Sequence, residues 1–142
     1  MANYLKRKSE KRFIFWYNPQ LMSIMTQQSV VFGSHQFLDR LALAFHLAVA
    51  ARLTSAPDLV LRQARENLNR WLKLHTPDSR TGKSLLEWQK LIESRNLCVL
   101  LAKMTEDTDE GQRLRQSSPF VGVLSPQERE ELISRCEKET TT

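Results

Sequence analysis

The sequence predicts an all-α fold, a compact bundle of about five to six helices with a flexible basic N-terminal extension. Three observations carry this expectation. Glycine is scarce, 4 in 142 residues, the Asn-Gly and Asp-Gly pairs that turn hairpins are absent, and the helix formers Leu, Ala, Arg, Glu and Gln are plentiful. Apolar residues recur every three or four positions from Phe37 onward, the spacing of one helix face. Serine caps punctuate the pattern, most clearly Ser125-Pro126-Gln127-Glu128, a capping box with proline at the first helical position.

Residues 1–33 differ from the rest. A basic run is followed by the aromatic cluster Phe13 to Tyr17, then by Asn18-Pro19 and a polar Gln27-Gln28-Ser29 stretch. The segment reads as a mobile extension, with Met22 and Met25 as alternative starts. Its apolar stretch is too short for an export signal. The helical domain is expected over 34–139, with a disordered tail at 140–142.

The first helix is expected from Ser34 or Gln36 to about Leu53, with Phe37, Leu38, Leu41, Phe45, Ala48 and Val49 on one face. Leu43, Leu47 and Ala50 make the opposite side apolar too, so this helix should be central and buried on most sides. Ser55 should cap a second helix over 56–75, with Pro57 at its start and Asp58 at its positive end. Its apolar face is Leu61, Ala64, Leu68, Trp71 and Leu72. After a loop from Thr76 to Lys83, Ser84 and Glu87 form a capping box opening a third helix that buries Leu85, Trp88, Leu91 and Ile92.

Asn96 should precede a fourth helix burying Leu97, Leu100, Leu101 and Met104. Thr105 then caps a fifth reaching about Gln116, with acids in its first turn and Arg113 and Arg115 at its negative end. A connector, Ser117 to Leu124, leads to the last helix, which buries Leu132, Ile133 and Cys136 and frays from Thr140.

Hydrophobic residues at 41% and charged residues at 26% match globular usage and exclude a disordered chain, and 142 residues suffice for one cored domain. The net charge of +5 suggests an acidic partner, but it is local. Lys6, Arg7, Lys8, Lys11 and Arg12 against Glu10 leave 16 positive and 15 negative charges for the remainder, so the helical domain is nearly neutral. Cys98 and Cys136 have no paired spacing and read as reduced, structural residues. No apolar run reaches the roughly 20 residues that cross a bilayer. The expected setting is the cytoplasm, without membrane attachment.

Chemistry has little support. Thr81-Gly82-Lys83-Ser84 resembles the end of a phosphate-binding loop, but the first glycine of that pattern would fall at Pro77 and no strand precedes it. His35, His46 and His75 are scattered without metal-ligand spacing, and a His46–cysteine dyad lacks an orienting third group. No cofactor or metal is expected. The most specific local feature runs from Gly111 to Phe120. Arg113 and Gln116 share a helix face suited to bidentate contacts, while Arg115 and Phe120 complete a candidate partner-binding set. The competing account is structural: arginines satisfying free carbonyls at a helix end, Ser-Pro breaking the helix, and Phe120 tucking the connector onto the core.

Three segments, Ala44 to Leu53, Ala64 to Trp71 and Leu114 to Leu124, resemble small uncharacterised all-helical bacterial proteins encoded beside toxin–antitoxin or nucleotidyltransferase-like genes. The resemblance spans about Phe37 to Lys138, a single-domain length. It implies an antitoxin-like or accessory subunit that covers a cognate protein partner, and brings no catalytic residues. A second reading is a DNA-binding regulator using helix 56–75, with Arg62, Arg65, Arg70 and Lys73, together with the basic arm Lys6, Arg7, Lys8, Lys11 and Arg12. A third is a nuclease-like toxin relying on Arg113, Arg115 and His46.

Overall fold

In the computed structural model, which describes residues 35–141, the chain forms six helices, with no strand among those residues. They are α1 (His35–Ser55), α2 (Pro57–Leu72), α3 (Arg80–Glu93), α4 (Leu97–Thr105), α5 (Asp109–Arg115) and α6 (Pro126–Thr141). The all-helical expectation holds. The basic arm Lys6 to Arg12 and the aromatic cluster lie outside the described residues.

Helix α1 is the hub: α2, α4, α5 and α6 all pack on it, while α3 closes the bundle against α2, α4 and α5. Its inward side supplies Phe45, Val49 and Leu53 to a main core shared with Leu68, Leu85, Trp88, Met104, Leu114 and Phe120. Its N-terminal half, with Phe37, Leu38 and Leu41, forms a second cluster with Ile133 and Cys136 of α6. The opposite side was expected to be covered as well. Leu43 and Ala50 are only half-buried and Leu47 is exposed, so that line of α1 faces outward.

The caps explain where the predicted boundaries shift. Ser55 does not cap α2; it is the last residue of α1, and its hydroxyl donates to the Arg52 carbonyl. Pro57 nevertheless starts α2 and Asp58 sits in its first turn, as expected. Helix α3 begins four residues before Ser84, because Ser79 accepts from the Gly82 amide and caps it. Gly82 is required there, since a Cβ would lie 2.0 Å from the Thr76 carbonyl oxygen. The phosphate-loop-like string is therefore helix, and Ser84 is buried inside it.

Asn96 caps α4 by accepting from the Val99 amide, as expected. Thr105 stays in α4 and bonds back to the Leu101 carbonyl, and Thr108 caps α5 in its place. The Ser125–Glu128 capping box is reciprocal: Ser125 Oγ accepts from the Glu128 amide at 3.1 Å, and the Ser125 amide donates to Glu128 Oε2 at 2.7 Å. Glu128 also pairs with Arg52, tying the start of α6 to α1. Leu132, Ile133 and Cys136 are buried as predicted, and the helix runs through Thr141, past the expected fraying point. Of the two cysteines only Cys136 is buried; Cys98 is exposed on α4.

Candidate functional site

The three segments singled out in the sequence meet at one place. Residues 114–124 leave α5, cross the gap between α1 and α2, and carry a run, Ser117 to Phe120, in which every residue is buried. Backbone crossing a core must find partners for its polar groups, and the polar residues of α1 and α2 supply them. Asn67 of α2 donates through Nδ2 to the carbonyls of Pro119 at 2.9 Å and Val121 at 2.8 Å. Its Oδ1 accepts from Arg70 Nη2 at 2.6 Å. Trp88 of α3 donates from its indole nitrogen to the Leu114 carbonyl at 2.8 Å.

His46 is the centre of the arrangement. It has no exposed surface, lies 2.7 Å from the Ala42 carbonyl through Nδ1 and 2.7 Å from Ser118 Oγ through Nε2. A carbonyl only accepts, so Nδ1 carries the proton and Nε2 accepts from the Ser118 hydroxyl. Phe45 and Phe120 meet the imidazole edge-on, and Trp88 stacks over it at 6.4 Å. Burial holds the imidazole neutral, lowering its pKa from 6.5 to about 3 against the bond to Ala42, which raises it, with the Arg115 charge lowering it further.

A serine bonded to histidine Nε2 is the pairing a hydrolase uses, so its chemistry has to be weighed. Both residues are sealed, with Ser118 also buried, and an imidazole that protonates only near pH 3 is a weak base at neutral pH. The pair therefore works as a lock between α1 and the connector.

Arg115 and Phe120, expected as partner contacts, both lie in the interior. The Arg115 guanidinium donates through Nη1 to the carbonyls of Met104, at 3.2 Å, and Glu106, at 2.7 Å, closing the C-terminal end of α4. Desolvation lowers its pKa while Asp107, Asp39 and Glu106 raise it. Gly111 makes room for this bond: a Cβ there would lie 2.3 Å from the Glu106 carbonyl oxygen and 2.9 Å from Arg115 Nη1. Phe120 packs edge-on against Trp88 at 5.6 Å.

Arg113 is half-buried and spent within the fold. It donates to Ser84 Oγ at 3.0 Å, Glu87 at 2.7 Å and Glu110 at 2.6 Å, joining α5 to α3. The bonds to Glu87 and Glu110 raise its pKa, and Arg113 in turn holds the Glu110 carboxyl below its ordinary range. Gln116 sits half-buried at the C-cap of α5. The structure thus does not gather Arg113, Arg115 and His46 onto a shared surface where a nuclease would need them.

The nucleic-acid candidates of helix 56–75 fare differently. Arg62, Arg65 and Arg70 are all exposed on α2, as is Lys73 just beyond its end. Asn67 and Ser118 were not singled out from the sequence. Asn67 had a signal, because it falls on the stripe Val60, Ala64, Leu68 where a buried polar group demands a partner. Ser118 had none, since its partner lies 72 residues away. Among the described residues no cluster of His, Cys, Asp or Glu could hold a metal, and no helix is long and apolar enough to cross a membrane. Comparison with protein families, characterised proteins and solved structures finds no match for this chain.

Proposed function

We propose that this protein is a helical protein–protein interaction module and, following the resemblance of its three segments, the antitoxin-like or accessory member of a bacterial toxin–antitoxin or defence system. It would act in the cytoplasm, where its thiols stay reduced. One observation carries the reading: the chemistry-bearing side chains His46, Ser118 and Arg115 are enclosed, while the large apolar side chains Leu47, Leu59, Leu74, Leu97 and Val99 are exposed. Burying large apolar surface is what a protein partner offers and a small reactive substrate does not. The test is affinity capture of the tagged full-length chain from its native cell at moderate salt, with mass spectrometry of what co-purifies. A stoichiometric protein partner is expected; recovery of nucleic acid alone, or of nothing, overturns the proposal.

The shared exposure of Arg62, Arg65 and Arg70 supports a second reading, a DNA-binding regulator. It requires affinity for duplex DNA that falls steeply with salt as phosphate contacts release counterions. A salt-independent or absent signal removes it.

A further inference from the structure

Helix α2 turns an amphipathic face to solvent whose composition differs from the other exposed surfaces. Leu59 near its start is 63% exposed and Leu74 in the turn after its end is 75% exposed, the highest values among the exposed large hydrophobic residues. Helical rise from Leu59 to Leu72 spans about 20 Å, and Leu74 follows in the turn. Between them, at spacings that share the outer side, stand Arg62, Arg65, Arg70 and Lys73, with Glu66 one turn from both Arg62 and Arg70. Arg62, Arg65, Lys73 and Glu66 enter none of the ion pairs formed among the described residues, whereas Arg52, Lys103 and Arg113 do.

Resting on the interaction-module reading, we propose that this outer face of α2, from Leu59 to Leu74, is the docking surface for an acidic amphipathic helix of a partner protein. Exposed leucines flanking arginines, of which Arg62 and Arg65 enter no ion pair among the described residues and Arg70 is held by Asn67, match the composition of a protein interface, where arginine is enriched and apolar anchors lose water. Charge complementarity fixes the partner's sign: its flanks carry carboxylates that meet the cations, and its apolar ridge covers the two leucines. A nucleic-acid backbone fits less well. It gains nothing from covering Leu59 and Leu74, whereas an apolar ridge removes them from water.

The experiment uses the full chain and three labelled probes in fluorescence anisotropy at low salt: a synthetic helical peptide with glutamates flanking a leucine ridge, the same peptide with lysines for glutamates, and a short DNA duplex. The glutamate peptide alone is expected to bind. An R62E/R65E variant and an L59S/L74S variant should each weaken binding about tenfold or more. Both alter exposed positions, so circular dichroism should show the native helical content. Binding of DNA in preference to the peptide, failure of the glutamate peptide to bind, or insensitivity to the leucine changes overturns the proposal. Capture from the native cell separates this from the broader reading. A partner that still co-purifies with R62E/R65E leaves the interaction module standing and removes α2 as its surface; no partner with either chain removes both.

Discussion

The sealed imidazole of His46 makes stability depend on pH between neutral and about 3. In the unfolded chain it takes a proton near 6.5, and in the folded chain only near 3. Between those values unfolding binds a proton, so stability is fully present above pH 6.5 and is lost as pH falls toward 3. At about 1.4 kcal/mol per unit, lowering the pH from neutral to 4.5 should cost about 3 kcal/mol from this residue alone. Arg115, the charge that bears on His46, stays protonated throughout this range. Glu110 and Glu128, whose carboxyls are held below their ordinary value of 4.5, lose their contribution only at lower pH. Urea unfolding followed by tryptophan fluorescence at several pH values between 7.5 and 4.5 measures the slope, and His46→Gln supplies the background from other groups. Should that variant not fold, the imidazole resonances of the native chain give the same answer by NMR. A His46 that titrates above pH 5, or wild-type and variant slopes that coincide, refutes the reasoning.

Three substitutions test the rest of the centre. Phe120→Ala should cost about 3–5 kcal/mol, because the ring is enclosed against Trp88 and His46; a loss below about 0.5 kcal/mol in urea unfolding would instead mark a surface residue. Gly111→Ala should destabilise by about 1–3 kcal/mol, since the added methyl meets the backbone oxygen of Glu106, which cannot swing aside as a side chain would. An unchanged urea midpoint contradicts that geometry. Arg113→Ala should cost about 1 kcal/mol at low salt and less at high salt, because its ion pairs with Glu87 and Glu110 are partly solvated. A loss independent of salt would point to packing by its aliphatic stem.

Most of the fold was legible because it is written locally. The periodicity around Phe45, Val49 and Leu53, and the Ser125–Glu128 box, need only neighbours within a few residues to act. Boundaries slipped where two serines or threonines competed for one cap. Ser79 prevailed over Ser84 because Gly82 lets the chain close against Thr76, and Thr108 prevailed over Thr105, whose hydroxyl bonds back into α4. The polar centre was much less legible. A single sequence shows His46 and Ser118 as unrelated residues, and only the path of the connector brings them to 2.7 Å. Arg115 shows the same limit: its place at a helix end was foreseeable, but not that it would satisfy the carbonyls of the neighbouring helix.

Asn67 links this interior to the outer face of α2. Its amide nitrogen holds the connector carbonyls while its oxygen holds Arg70, so one side chain of the cationic row is anchored to the core. A long arginine ordinarily loses up to about 2 kcal/mol of rotamer freedom when a partner fixes it. In Arg70 part of that loss is already taken on folding, which would favour it as the orienting contact of the proposed partner helix. Arg62 and Arg65, which form no ion pair among the described residues, can adjust around it. In the proposed docking the buried polar centre would act without touching the partner, because Asn67 holds α2 against the connector and fixes the direction in which Arg70 points.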